Sequence, residues 1–330
     1  MQNILIPVVE ISQVGEARRM ALTIASQLNF NETDRGRVGI VITEIAGNLV
    51  KHAQEGELLL RSLCADGMNG LEILALDKGA GMDNVSECLR DGFSTGGTAG
   101  TGLGAISRLA DFFDIYSFPS LSTAVVAHLW ATTAPKNLAG CKIGAVNIPL
   151  ASEQTCGDSW AVIEVETGQN LVVVADGLGH GELAAAASLA AIRVARENAR
   201  RSPQEILELM HGNLRSTRGA AVAIVQIDFN RQSICFAGVG NIAGSIIASE
   251  SRSMVSYNGI VGHQIHKLQE FIYPFPPGAT LILSSDGLAT GWRMDRYRGL
   301  INKHPSLIAG VLYRDFKRLR DDVTVVVVRQ

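Results

Sequence analysis

Nowhere in these 330 residues do lysines and arginines gather into a basic block, and the formal net charge is −3. Nucleic-acid affinity rests mainly on clustered positive side chains, so a nucleic-acid surface is not expected. Long apolar runs are missing too. No stretch reaches the ~20 residues that span a bilayer, and the apolar start from Met1 to Val9 meets Glu10 too soon for a signal sequence. Cysteines are few and scattered. Cys64, Cys88, Cys141, Cys156 and Cys235 are odd in number, and no two have the spacing of a zinc or redox motif. They read as reduced, partly buried thiols in a reducing compartment. The expectation is a cytoplasmic protein with neither a membrane nor a nucleic-acid partner. Aromatics make up 5% of the chain and charged residues 18%, against 47% hydrophobic residues, so small aliphatic side chains must build the cores.

The length suits two domains better than one. Asn3 to Val9 reads as a strand, and Val14 to Leu28 has helical apolar spacing. Asp34 to Ala53 predicts an amphipathic helix with Val38, Val41, Ile42, Ile45 and Leu49 on its apolar stripe. Leu58 to Leu63 and Leu71 to Leu76 predict paired strands around the turn Asp66 to Gly70. A glycine-rich stretch from Gly92 to Gly104 leads into a short helix, and strands follow at Phe112 to Phe118 and Ala124 to Trp130. Residues 135–140 are the linker candidate, which sets domains at 1–134 and 141–330. The second half predicts many short strands and an Ala-rich helix from Glu182. A helix begins at Pro203, a good first helical position, and another spans Ser306 to Leu319 before a closing strand. Strands with helices clustered in pairs give an α/β (α+β) class, sheets with helical outer layers.

Three elements of the first half carry chemistry. Glu44 and Asn48 are four apart and so share one helix face. A carboxylate and an amide so placed orient a water and a hydrated Mg²⁺ against a triphosphate. Asp77-Lys-Gly79-Ala-Gly81 follows a buried strand, where a carboxylate takes the exocyclic amine of adenine and glycines let the backbone pass close. Gly100-Thr101-Gly102-Leu103-Gly104 opens a helix, where backbone N–H groups cradle phosphates. Each alone is commonly a helix edge, a turn or a loop; the order and context of all three set them apart.

Together they resemble the N, G1 and G2 boxes of the GHKL ATPases. The Gly92-Phe-Ser-Thr-Gly-Gly97 stretch and the run from Gly102 to Asp114 are similar to the serine kinases of bacterial partner-switching systems. That resemblance implies a Bergerat-type α/β sandwich in which Glu44 activates the attacking serine. Asn48 would bind Mg²⁺, Asp77 would read adenine, and Gly79, Gly81 and the 100–104 loop would hold ATP. His52, two turns from Glu44, reads as a helix histidine without a catalytic role.

In the second half, Asp158, Asp176, Asp286 and the pair Asp321-Asp322 each stand beside a strongly apolar strand, with glycine or another small or acidic neighbour. Converging buried carboxylates need a compensating cation. Oxygen donors suit Mn²⁺ or Mg²⁺ rather than zinc, and two such ions can clamp a phosphoryl group. The ordered set resembles the SpoIIE-type branch of the metal-dependent protein phosphatases, an α-β-β-α sandwich, over 141–330. It implies two Mn²⁺ or Mg²⁺ bridged by Asp176 and the carbonyl of Gly177, with Asp286, Asp321 and Asp158 as further ligands. Asp321 is preferred over Asp322. Cys156-Gly157 stands where many relatives have two glycines, which bears on Asp158. His180 reads as a helix-start residue or a proton donor. The sequence marks no arginine beside the metal aspartates as fixed for phosphate binding, a feature of some distant relatives.

The combined resemblance implies a bifunctional regulator of a partner-switching pathway, kinase and phosphatase, acting on STAS-domain antagonist or scaffold proteins. A sigma factor or a downstream activator phosphatase are further partners it suggests. The alternative is a phosphatase whose first domain only binds ATP and a partner, in anti-sigma fashion. A pair of non-catalytic scaffolds ranks last, because the ligand positions are retained.

Overall fold

The computed structural model describes residues 2–65, 67–89, 102–119, 122–132 and 142–330. Its first elements are β1 (Ile4–Pro7), α1 (Ile11–Gln27), α2 (Glu32–His52), β2 (Glu57–Ala65) and β3 (Met68–Asp77). Next come α3 (Val85–Cys88), α4 (Gly102–Leu109), β4 (Phe112–Phe118) and β5 (Ser122–Trp130). After residue 141 follow β6 (Lys142–Ile148), β7 (Asp158–Glu166), β8 (Gln169–Gly177), α5 (Glu182–Glu197) and α6 (Pro203–Asn213). Then come β9 (Ala220–Asp228), β10 (Ser233–Val239), β11 (Ala243–Ile247), β12 (Ser251–Ser253), β13 (Gly259–Ile260) and β14 (Gln264–Ile265). The series ends with β15 (Phe271–Pro274), β16 (Thr280–Ser284), α7 (Pro305–Phe316) and β17 (Val323–Arg329). The class is mixed α/β, as expected. Residues 135–140, the linker candidate, lie outside the described residues, as do Gly92 to Gly97, Gly100 and Thr101.

Two compact units divide the chain. One comprises Asn3–Leu138 together with Tyr297–Arg314; the other comprises Met1–Gln2, Ala139–Arg296 and Asp315–Gln330. In the first unit an antiparallel sheet has the order β1-β2-β3-β5-β4. Helix α2 starts cleanly, because the Asn31 side chain accepts from the Asp34 N–H at 2.8 Å and Glu32 and Asp34 favour the positive helix end. Its stripe Val38, Val41, Ile42, Ile45 and Leu49 is buried as the periodicity requires, in one core with Ala21 and Ile24 of α1, Ile106 of α4 and Leu58, Leu60, Ile73 and Val125 of the sheet.

Alternate residues of the same strands point to the other face. There Arg61, Glu72 and His128 stand side by side across β2, β3 and β5, and segment 297–314 lies against them. The Ser306 hydroxyl donates to Glu72 at 2.5 Å, and Lys303 and the His304 N–H bind Asp114 at 2.9 Å each. Arg61 meets Glu72 at 2.8 Å and His128 meets it at 3.0 Å. Burial alone would raise the Glu72 carboxyl, but the Arg61 charge, with His128 and Ser306, holds it well below the usual carboxylate range. Burial, with the neighbouring His128 charge, pushes the His304 imidazole down to about 3, so it stands neutral.

The second unit has two five-stranded sheets, β15-β10-β9-β8-β7 and β12-β11-β16-β17-β6. Between them Val172, Val174, Val225, Phe236, Leu281, Leu283, Val326 and Val328 share one apolar core. Helices α5 and α6 cover the first sheet through Ala191, Ala195, Ile206, Leu207 and Met210. The Ser202–Glu205 capping box and Pro203 start α6 where the sequence predicts it.

Candidate functional site

Part of the ATP-type constellation of the first unit meets at the start of α4. A Cβ on Gly102 would stand 3.0 Å from Glu44 Oε2 and 3.6 Å from Asn48 Oδ1, so the phosphate-type loop ends against that helix face. Leu103 is half-buried and Gly104 buried behind it. Gly100 and Thr101 lie outside the described residues. At the end of β3, Asp77 Oδ1 accepts from the N–H of Gly79 at 2.6 Å and of Thr123 at 3.3 Å. Burial raises the Asp77 carboxyl, opposed by those two N–H groups and by the charges of Arg314 and His52. The glycines are dictated by space. A Cβ on Gly79 would press on the His52 carbonyl at 2.5 Å, and Gly81, at φ +69°, passes against the Phe118 carbonyl.

The second constellation gathers at one end of the two-sheet unit. Asp158 and Asp176 are directly paired across β7 and β8, an arrangement of like charges that destabilises a ladder by itself. Asp286 lies two residues past β16, and Asp321-Asp322 precedes its neighbour β17. The four carboxylates Asp158, Asp176, Asp286 and Asp321 act on one another. Burial, then the charges of Asp158, Asp286 and Asp321, push Asp176 up to about 9. Burial raises Asp158 to about 7 against hydroxyl donors Ser285 and Thr324, with Asp322 and Asp321 adding to the rise. Asp286 is raised too, by burial and Asp321, while Arg318 and Asn241 oppose the shift. Asp158 is 3% exposed and its Oδ2 has no hydrogen-bond partner.

Such a cluster of oxygen donors fits hard divalent cations: an orphaned buried carboxylate oxygen and mutually repelling acids are what a cation would relieve. Among the described residues no three acidic, histidine or cysteine side chains are already closed around one point. The carboxylates instead act on one another, Asp158 raising Asp176 and Asp321 raising Asp286. Gly177 passes so close to the Ala184 carbonyl that no side chain fits there. Asp322 differs from its neighbour. Its two oxygens accept from the backbone N–H groups of Leu150 at 2.8 Å and Gly157 at 2.9 Å. That anchoring task leaves Asp321 as the freer carboxylate. Cys156 is buried, and burial with Asp158 and Asp322 pushes its thiol far above the ordinary range, so it stays protonated.

Several further residues are placed near these sites by the fold. Asn241 donates to Asp286 at 2.7 Å, and His180 Nδ1 stands 2.7 Å from Glu153. Arg218 lies over the turn after Asp176: a Cβ on Gly179 would stand 2.9 Å from its Nη1. The Leu178 N–H donates to the Gly219 carbonyl at 3.0 Å, which ties the Arg218 loop to that turn. Arg218, which sits in no motif, is thus brought to the turn after Asp176 by the α6–β9 connection. Only a contact between segments forty residues apart reveals it.

Architecture and carboxylate set together define a phosphatase-type domain of the two-sheet, helix-flanked class, preceded by an ATPase-type domain. The chain belongs to the family of the stage II sporulation protein E (SpoIIE), whose family model matches residues 166–330, half of the chain. Residues 8–125 match the histidine kinase-like ATPase domain. The serine/threonine-protein kinase RsbT of Bacillus subtilis (strain 168) is 33% identical over 114 residues, 34% of this chain and 86% of that protein. The phosphoserine phosphatase RsbX of the same strain is 26% identical over 135 residues, 40% of this chain and 67% of that protein. Among solved structures, a chain from work on the bacterial stressosome as a modular system matches with TM-score 0.54 at 29% identity, over 57% of this chain and 99% of its own. RsbX in complex with magnesium matches with TM-score 0.52 at 22% identity, over 57% of this chain and 94% of its own, a likeness of fold. Among the described residues no helix is long and apolar enough to cross a membrane.

Proposed function

We propose that this chain is a bifunctional regulator of a bacterial partner-switching pathway. Its ATPase-type half phosphorylates a serine or threonine on a STAS-domain antagonist or scaffold protein, and its SpoIIE half removes such phosphates. The observation that carries this reading is the survival of both residue sets in one chain. Glu44 and Asn48 stand against Gly102, and the four aspartates gather at one end of the two sheets. The likeness of the two halves to a kinase and to a phosphoserine phosphatase supports the pairing. The division of labour follows the sequence, with 1–134 as the kinase-type domain, 135–140 as linker and 141–330 as the phosphatase, save that segment 297–314 packs in the first domain's unit.

In the first half Glu44 accepts the proton of the attacking hydroxyl, while Asn48 holds Mg²⁺ and Asp77 accepts from adenine. Gly79, Gly81 and the 100–104 loop let the backbone close on the nucleotide. In the second half Asp176, the carbonyl of Gly177, Asp286, Asp321 and Asp158 would hold two Mn²⁺ or Mg²⁺. Bound there, the ions would supply an activated water and neutralise phosphoryl charge. The chain's own groups do the rest. Asn241 fixes the Asp286 carboxylate through the 2.7 Å hydrogen bond, and Arg218 faces the phosphoryl oxygens from above Gly179. A sigma factor or downstream activator phosphatase is a further partner of the same system, and we place the protein in the cytoplasm.

The test is a paired assay with a STAS-domain protein from the same genome. ATP with Mg²⁺ should label it, Glu44→Ala should cut labelling by about 10²-fold or more, and Asp286→Ala should leave the label on after Mn²⁺ is added. Absence of label from wild-type protein that still binds ATP and dephosphorylates a pre-phosphorylated partner would replace the kinase by an anti-sigma-like binding module. For Arg218→Ala we expect KM for the phosphoprotein to rise roughly tenfold, with less effect on kcat. An unchanged KM would remove Arg218 from the phosphate site.

A further inference from the structure

Helix α7 lies in the stretch matched by the phosphatase family, yet its residues up to Arg314 belong to the ATP-type unit. Ser306, Gly310 and Arg314 recur every four residues and so line one helix face. They run along β3 in the same direction. Ser306 meets Glu72, a Cβ on Gly310 would stand 2.9 Å from both Leu74 and Leu76, and Arg314 Nη1 donates to the Asp77 carbonyl at 3.0 Å. Every residue from Pro305 to Arg314 is buried, and Arg314 itself is 6% exposed.

The last of these contacts falls at the adenine-type carboxylate. The peptide plane between Asp77 and Lys78 is held at both ends, its carbonyl by Arg314 and its N–H by the Gln54 carbonyl at 2.9 Å. That plane sets where the next N–H, of Gly79, points, and Gly79 is the closer of the two backbone donors to Asp77 Oδ1. A buried guanidinium is expensive unless it is hydrogen-bonded, so its placement under this turn is a strong geometric constraint.

We propose that segment 297–314 is a working part of the nucleotide unit and that Arg314 is a positioning residue for Asp77. This rests on the reading of Asp77 as the adenine acceptor. By pinning the 77–78 peptide from the sheet face opposite the helices, Arg314 presents the Asp77 carboxylate in one orientation, which favours adenine over guanine.

The experiment uses the full chain and measures binding of ATP and GTP with Mg²⁺ by calorimetry, for wild type, Arg314→Ala, Arg314→Gln and Arg314→Lys. Arg314→Ala is expected to lose roughly tenfold in ATP affinity and to narrow the preference for ATP over GTP. The glutamine variant keeps an N–H donor and should fall between, and lysine should restore most of the preference. A loss of affinity equal for both nucleotides would reduce Arg314 to general packing and overturn the proposal, as would an Arg314→Ala protein that binds ATP like wild type. Wild-type protein that binds neither nucleotide overturns the underlying ATP reading itself, an outcome visible before any variant is made.

Discussion

Asp176→Asn should lower phosphatase turnover by about 10³-fold, and the same change should raise the melting temperature of the metal-stripped protein. The two effects have one cause. Asp176 faces Asp158 across the β7–β8 ladder and feels Asp286 and Asp321 as well, with its carboxyl pushed up to about 9 by burial first and then by these neighbours. Four acids gathered for cations repel one another when no cation is there, so the neutral amide relieves the fold while removing a donor that would hold the proposed ions. Phosphate release from a phosphoserine peptide with Mn²⁺ reads the first effect; calorimetry with a chelator reads the second. ATP binding should not move. An Asn variant that keeps a tenth of the activity would take Asp176 out of the metal site.

Glu72→Ala should destabilise the ATP-type unit by about 3–5 kcal/mol, the scale for removing one partner of a buried ion cluster. Glu72 is fully buried, its Oε1 serves Arg61, and its Oε2 serves both His128 and Ser306. Truncation takes the counter-charge from a guanidinium at 3% side-chain exposure and leaves the Ser306 hydroxyl without that acceptor. Replacing Arg61, Glu72 and His128 together by leucine should recover much of the loss, because the buried guanidinium then leaves together with its counter-charge. Denaturant unfolding, followed through the loss of ATP binding, measures both. A Glu72→Ala protein within 1 kcal/mol of wild type would show that water reaches the cluster.

The sequence made local elements legible because each local choice agrees with the fold. The stripe of α2, the Ser202 box with Pro203 and the strands that end in Asp77 and Asp176 all stand near the predicted positions. The helix predicted over Ser306 to Leu319 runs from Pro305 to Phe316, ending earlier because the chain turns to pair Lys317 with Leu288. The short strands β12 to β15 carry too few residues for a period to show. Each candidate ligand sits inside a motif, which is why the sequence offers it. Thr123, Glu153, Arg218 and Arg314 sit in none, since their contacts span tens to hundreds of residues. One signal did exist for α7. The runs Leu58-Leu-Leu60 and Leu71-Glu-Ile-Leu-Ala-Leu76 are apolar on both strand faces, which demands cover on both sides of the sheet.

Segment 297–314 also sets a timetable for synthesis. The strands of the ATP-type unit leave the ribosome first, yet Glu72 must wait for Ser306, 234 residues later in the chain. At about 5–20 residues per second that is a delay on the order of ten seconds or more. During that interval Arg61, Glu72 and His128 stand on a sheet face without their helix. Nascent chains stalled before residue 300 should therefore be the ones that recruit chaperones. The unit nearest the N-terminus is among the last parts of this protein to finish folding.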